Sequence, residues 1–154
     1  MIDVNNEIVR TIDLNAPVER VWQAIVDAKQ FGQWFKCTVS GEFAVGQVVN
    51  CSSLYEGNEQ SVWQKLITAI EPEKYFAFEW SPGETGADLY SEQAGKTLVE
   101  FTLRASGEMG EGCQLVIRES GFASLPADAG RKSFELNTHG WDAQVGNITT
   151  YVES

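Results

Sequence analysis

Apolar residues along this chain change their spacing twice. "EIVRTIDL" (7–14) alternates, with Ile8, Arg10, Ile12 and Leu14 on one parity and Val9, Thr11 and Asp13 on the other, which predicts a first strand. In "NAPVERVWQAIVD" the period lengthens. Val18, Val21, Trp22, Ile25 and Val26 recur at three- and four-residue steps, the apolar stripe of an amphipathic helix. Asn15 is the candidate N-cap, Pro17 falls in the first turn, where its missing N–H costs little, and Glu19 lies near the positive helix end. "KQFGQWF" predicts a short second helix or turn broken at Gly32.

From residue 38 onward the helical period is lost. "VVNCSSLYE", "SVWQKLITAIE", "KYFAFEW", "KTLVEFTLRAS" and "GCQLVIRESG" are short runs rich in β-branched and aromatic residues, punctuated by Gly, Pro and Asn, and they predict an antiparallel meander. Phe76, Phe78 and Trp80 share one face of their strand, and Val99, Phe101 and Leu103 share one face of a later one. One side of the sheet is therefore strongly aromatic. "GEMGEG" (107–112) reads as a compact turn, whereas "SPGETGADLYSEQAGK" (81–96) is long for a hairpin connection, a length often tied to function. From Phe134 the helical period returns through Thr138, Trp141, Val145, Ile148 and Val152. Gly140 and Gly146 each cost about 1 kcal/mol relative to alanine inside a helix, so they predict close backbone approach or room left beside it.

The 154 residues, 43% of them hydrophobic, suffice for one compact core, and we read residues 1–154 as a single domain. Eleven basic against twenty-two acidic residues give a net charge of -11, which disfavours nucleic acid and anionic membrane surfaces. No run is long and apolar enough to span a bilayer, and "MIDVNNEIVR" lacks the pattern of an export leader, so a cytoplasmic location is expected. The sequon Asn147-Ile148-Thr149 is discounted on the same ground. Cys37, Cys51 and Cys113 are odd in number and widely spaced, which suggests neither a disulfide framework nor a zinc motif but reduced, partly buried thiols.

Candidate chemistry is sparse. Gly95-Lys96-Thr97 has the end of a phosphate-binding loop, but Tyr90 stands where the earlier glycine is required and a strand follows, so a nucleotide site is rejected. His139 is the single histidine, which rules out a His-pair metal site, and no nucleophile or carboxylate motif surrounds it; a structural role is expected. Lys36 beside Cys37 is a weak hint of thiol activation. Arg118 and Glu119, at a strand end before Gly121-Phe122, are expected to be exposed strand charges, with polar contacts at the mouth of a cavity as the alternative. No cofactor or metal is implied.

"IDLNAPVERVWQAIVDAKQFGQWF", Ile70-Glu71-Pro72 leading into "KYFAFEW", the "TLVEFTLRASG" strand and "HGWDAQVGNITTYV" together resemble the START-like, or SRPBCC, superfamily. Within it the chain is most similar to the subgroup related to the C-terminal domain of activators of the heat-shock-protein-90 ATPase. The resemblance covers nearly the whole chain and implies an α+β helix-grip fold. A curved antiparallel sheet would wrap around a long C-terminal helix, with two short helices after the first strand. It also accounts for His139, since His-Gly-Trp is common at this helix position in the subgroup, and it allows a homodimer.

A sheet gripping a helix encloses a cavity where inner side chains leave space. The candidates to line it are Trp34, Trp63, Phe78, Trp80, Phe101, Phe122, Trp141, Val145 and Ile148, although for any single one of these aromatics ordinary core packing is the favoured reading. The leading expectation is non-catalytic binding of a small hydrophobic or amphipathic molecule, with residues 81–96 as a lid. The resemblance keeps two alternatives open: a chaperone-associated interaction module, and a cyclase- or hydratase-like enzyme using His139 or Glu119 as base.

Overall fold

A computed structural model describes residues 7–54, 62–80, 95–125 and 127–154. The first element is strand β1, Glu7–Leu14, followed by two helices, α1 (Val18–Val26) and α2 (Ala28–Phe35). Six strands come next: β2 (Cys37–Val39), β3 (Val48–Ser53), β4 (Val62–Glu71), β5 (Tyr75–Trp80), β6 (Thr97–Ser106) and β7 (Gly112–Ser120). A 3-10 turn, Phe122–Ser124, leads into α3, Ala127–Glu153. The strands form one antiparallel sheet in the order β1-β7-β6-β5-β4-β3-β2, so β1 closes the meander by pairing with its last strand.

The helices cover one face of this curved sheet. Val18, Val21, Trp22, Ala24 and Ile25 are the buried face of α1, as the three-four spacing requires. The helix starts two positions later than the sequence suggests. Pro17 is the N-cap, its carbonyl accepting from Arg20 and Val21, while the backbone N–H of Asn15 donates to Glu153 Oε2 across the fold. Asn15 is thus no cap. Nor does Gly32 break α2; a Cβ there would stand 2.5 Å from the carbonyl oxygen of Cys37, so glycine lets the chain turn tightly from α2 into β2. Trp34 Nε1 donates to the carbonyl of Ala24 at 2.7 Å and locks α2 against α1.

Helix α3 begins at Ala127, ahead of the apolar period that starts at Phe134. Its first turns carry few large apolar residues but pack closely, since a Cβ on Gly130 would meet the Phe122 carbonyl at 2.9 Å. Further along, Trp141, Ile148 and Val152 are buried against the sheet. Arg10 of β1 donates to Asp142 at 2.7 Å, and Arg20 of α1 donates to the carbonyl of Tyr151 while its guanidinium lies 4.8 Å from that ring centre. The middle and the C-terminal end of the helix are thus fastened to other elements.

Candidate ligand-binding site

Register places one row of side chains across the concave face: Ile8 opposite Glu119, Glu119 opposite Val99, Val99 opposite Phe78, and Phe78 opposite Ile67. Every member except Glu119 is apolar, and Glu119 is fully buried. A carboxylate in such a place is tolerable only if its oxygens are satisfied. They are. Oε2 accepts from Trp80 Nε1 at 2.7 Å and from Thr97 Oγ1 at 2.6 Å; Oε1 accepts from Asn137 Nδ2 at 2.9 Å and from Trp141 Nε1 at 2.8 Å. Four donors fill the roughly four lone-pair positions a carboxylate offers. Trp80 and Thr97 face each other across β5 and β6, and Asn137 and Trp141 lie one turn apart on α3. Glu119 therefore pins the helix to the sheet, and the expectation of an exposed strand charge is overturned: its parity, shared with Leu115 and Ile117, faces the core.

Above this carboxylate lies a cleft of about 110 Å³, lined by Phe35, Trp80, Asn137, Gly140, Trp141 and Gln144. Its walls are three mutually contacting rings, with centres 6.2 Å apart for Phe35 and Trp80, 6.1 Å for Phe35 and Trp141, and 6.0 Å for Trp80 and Trp141. Gln144 Nε2 donates to the carbonyl of Phe35 at 3.0 Å and holds the end of α2 against α3. A Cβ on Gly140 or Gly146 would meet nothing within 4 Å, so of the two readings of these glycines the structure has room beside the helix, not close backbone approach. Only Gly140 borders the cleft. Cavities of about 150 Å³ can hold a benzene ring, so this cleft takes part of a small ring, with the remainder in its mouth.

Of the nine cavity candidates, Trp80 and Trp141 line this cleft. Trp34, Phe78, Phe101 and Ile148 are buried in the core, Val145 packs against it, Phe122 pairs edge-on with Phe134, and half-buried Trp63 contacts Phe35 at 6.4 Å. Phe35, Asn137 and Gln144 complete the lining without having stood out in the sequence. Asn137, Trp141 and Gln144 recur at the three-four spacing of α3, the available signal for a shared face. His139 is exposed, and no hydrogen bond or ion pair reaches it among the described residues. The long segment expected as a lid lies outside the described residues from 81 to 94.

A second buried charge-bearing group sits beyond the cleft wall. Lys65 of β4 is fully buried, and its Nζ has no hydrogen-bond partner among the described residues. It lies over the rings of Phe31 at 3.6 Å, Phe78 at 4.4 Å, Phe35 at 4.9 Å, Trp80 at 5.7 Å and Phe43 at 5.8 Å. Burial lowers the Lys65 pKa, against the raising effect of Cys51 and Cys37. Those two cysteines share a hydrogen bond that pushes Cys37 up, with burial adding to the rise, and brings Cys51 down to about 7, against the raising effect of burial and helped by the nearby Lys65 charge. Cys37, Cys51 and Cys113 are all buried free thiols, and Lys36 is exposed at the left-handed end of α2. Among the described residues no three His, Cys, Asp or Glu side chains gather as a metal site, and no helix is long and apolar enough to cross a membrane.

The covered sheet, the two early helices and the long terminal helix define a helix-grip, SRPBCC-type fold. Solved structures of low identity share it. Protein MLL2253 from Mesorhizobium loti is 21% identical with a TM-score of 0.74, over 95% of this chain and 96% of that one. The Aha1 dimer from Colwellia psychrerythraea is 16% identical with a TM-score of 0.72, over 96% of both chains. CalU16 from Micromonospora echinospora is 19% identical with a TM-score of 0.66, over 95% of this chain and 75% of that one. Residues 15–153 match the family model described as Activator of Hsp90 ATPase homolog 1-like protein, and the chain belongs to that family. No curated protein matches it.

Proposed function

We propose that this protein binds a small amphipathic molecule carrying a flat apolar ring, held in the cleft between α2, α3 and the end of β5. One observation carries the reading: an aromatic-walled cleft whose two indole N–H groups are already committed to a buried carboxylate, leaving their ring faces toward the ligand. The walls are thus preorganised, and binding draws on apolar burial at about 25 cal/mol per Å² before ordering costs are subtracted. Asn137 donates its amide to Glu119 and keeps Oδ1 for a donor on the ligand.

The same arrangement argues against Glu119 as a catalytic base. Both its oxygens accept two hydrogen bonds, and neither is exposed to a substrate in the cleft. Exposed His139 likewise has no partner there. Native mass spectrometry of gently purified protein tests the binding reading: an adduct lost on denaturation, and absent from Gly140→Leu, is expected. An adduct that persists in Gly140→Leu would place the ligand elsewhere.

Family membership favours a second reading, a module that modulates a chaperone ATPase. Adding the protein to a heat-shock-protein-90 ATPase assay separates the two. An increased rate that Gly140→Leu leaves intact would favour the interaction module over the cleft.

A further inference from the structure

Each of the four groups around Glu119 donates a hydrogen bond, as an ionised carboxylate requires, yet none of them is charged. No lysine, arginine or histidine forms an ion pair with it among the described residues. Lys65 is not its counter-ion either, since the neighbours that raise the Lys65 pKa are Cys51 and Cys37. Hydrogen bonds satisfy the lone pairs of a buried carboxylate but leave its charge in place, and buried charges are ordinarily paired. Three of the donors, Trp80, Asn137 and Trp141, also line the cleft. A cation in the cleft therefore stands one side chain away from the carboxylate.

The walls suit a cation of one kind. The ring centres of Phe35, Trp80 and Trp141 form a nearly equilateral triangle, with sides of 6.2, 6.1 and 6.0 Å. A charge over its middle falls within the reach of about 6 Å over which aromatic rings attract cations. Both indole N–H groups donate to Glu119, which enriches the electron density of their rings. Gln144 is committed too, donating to the Phe35 carbonyl and accepting from Asn147. Among the lining side chains this leaves Asn137 Oδ1 as the free acceptor. A primary ammonium would bring three N–H donors to that one acceptor, whereas a ring with a fully substituted nitrogen brings none. We propose that the cleft takes a flat aromatic cation of the N-alkylpyridinium class, whose charge offsets that of Glu119. This rests on the cleft reading above and adds a charge to the ring of its ligand.

Two further charges bear on such a ligand. The net charge of -11 raises the concentration of cations around the molecule. Lys65 acts against it from beyond the wall, its Nζ lying 4.9 Å from the Phe35 ring centre and 5.7 Å from that of Trp80. Burial already favours the neutral amine there, and a cation in the cleft favours it further. Lys65→Met should therefore bind the cation at least as tightly as the natural chain does.

The test titrates the full chain with N-methylpyridinium and with toluene, which has the same shape and no charge, at neutral pH and about 0.15 M salt to screen loose surface binding. Nuclear magnetic resonance follows the indole N–H signals of Trp80 and Trp141. Saturable shifts of both signals are expected, with affinity for the cation about tenfold above that for toluene. Gly140→Leu should abolish the shifts by either ligand. Lys65→Met should hold or raise the preference for the cation, and Glu119→Gln should remove it; if Glu119→Gln does not fold, the comparison of the two ligands on the natural chain still decides. Toluene bound as tightly as the cation, a preference that survives Glu119→Gln, or one that falls in Lys65→Met overturns the charge inference and leaves the cleft reading standing. Shifts by the cation that survive Gly140→Leu place it outside the cleft and overturn the inference too. No shift of these signals by either ligand removes both readings.

Discussion

Glu119 and Lys65 are both fully buried ionisable side chains on the concave face, and their surroundings treat them in opposite ways. Glu119 is paired with four donors; Lys65 has only ring faces and two thiols. Replacing Glu119 with Gln would turn one oxygen into an NH₂ that faces two donors, leaving both without an acceptor. At about 1–3 kcal/mol for each buried unsatisfied group, Glu119→Gln should lose about 2–6 kcal/mol of stability in urea unfolding. Lys65→Met should do the reverse, gaining about 1–4 kcal/mol, as apolar replacements of buried charges often do. The sign with pH follows from linkage. Burial lowers the folded pKa of Lys65 below its ordinary 10.5, so between the two values the unfolded chain holds more protons and stability rises with pH. Cys51 acts in the same direction between about 7 and 9.0. The advantage of Lys65→Met should therefore be largest at neutral pH and shrink toward alkaline pH; an advantage that grows with pH would mean Lys65 is not destabilised as an ammonium. Parity was the available signal for both residues, since Glu119 follows buried Leu115 and Ile117 and Lys65 precedes buried Ile67. Their partners were not legible, because the donors to Glu119 lie 18 to 39 positions away on three other elements.

At the level of elements, period alone located most of the fold. Alternation fixed the inner faces of β5 and β6, where Phe76, Phe78, Val99, Phe101 and Leu103 are all buried, and the three-four stripe fixed the buried face of α1. Failures came where glycine and proline take their meaning from distant contacts. Gly32 reads as a breaker but answers a close approach by Cys37, and the early turns of α3 hide because they pack through small residues such as Gly130. β4 carries a register irregularity between Ile67 and Ala69, which no parity count along the strand would anticipate. Gly140 offers the cleanest test of α3 as the cleft wall. With no atom within 4 Å of the point where a Cβ would stand, Gly140→Leu should gain up to about 1 kcal/mol from helix propensity while its side chain fills the cleft. Thermal unfolding should move up as ligand binding is lost, an opposition that general damage to the fold would not produce.

For the whole molecule, the net charge of -11 sets the balance of long-range forces. The ion pairs among the described residues are at the surface: Arg10 with Asp142, Arg118 with Glu7 and Glu100, and Arg131 with Asp128. Such exposed pairs contribute a median of only about 0–1 kcal/mol each and weaken in salt. Self-repulsion among the surplus carboxylates works against the compact state and is relieved by the same screening. The two effects therefore predict opposite responses to sodium chloride, and with twenty-two acidic against eleven basic side chains repulsion should dominate. Raising salt from low ionic strength to about 1 M, where the screening length falls to about 3 Å, should raise the unfolding temperature by several degrees. Glu119 and Lys65, shielded from solvent, should contribute little to that change, so Lys65→Met should show nearly the same salt increment as the natural chain. A lower unfolding temperature in salt would show that the Arg10 and Arg118 pairs outweigh the repulsion. Those pairs join β1 to α3 and to the neighbouring strands, so the closure of the sheet over the terminal helix would then depend on charge as well as on the aromatic core.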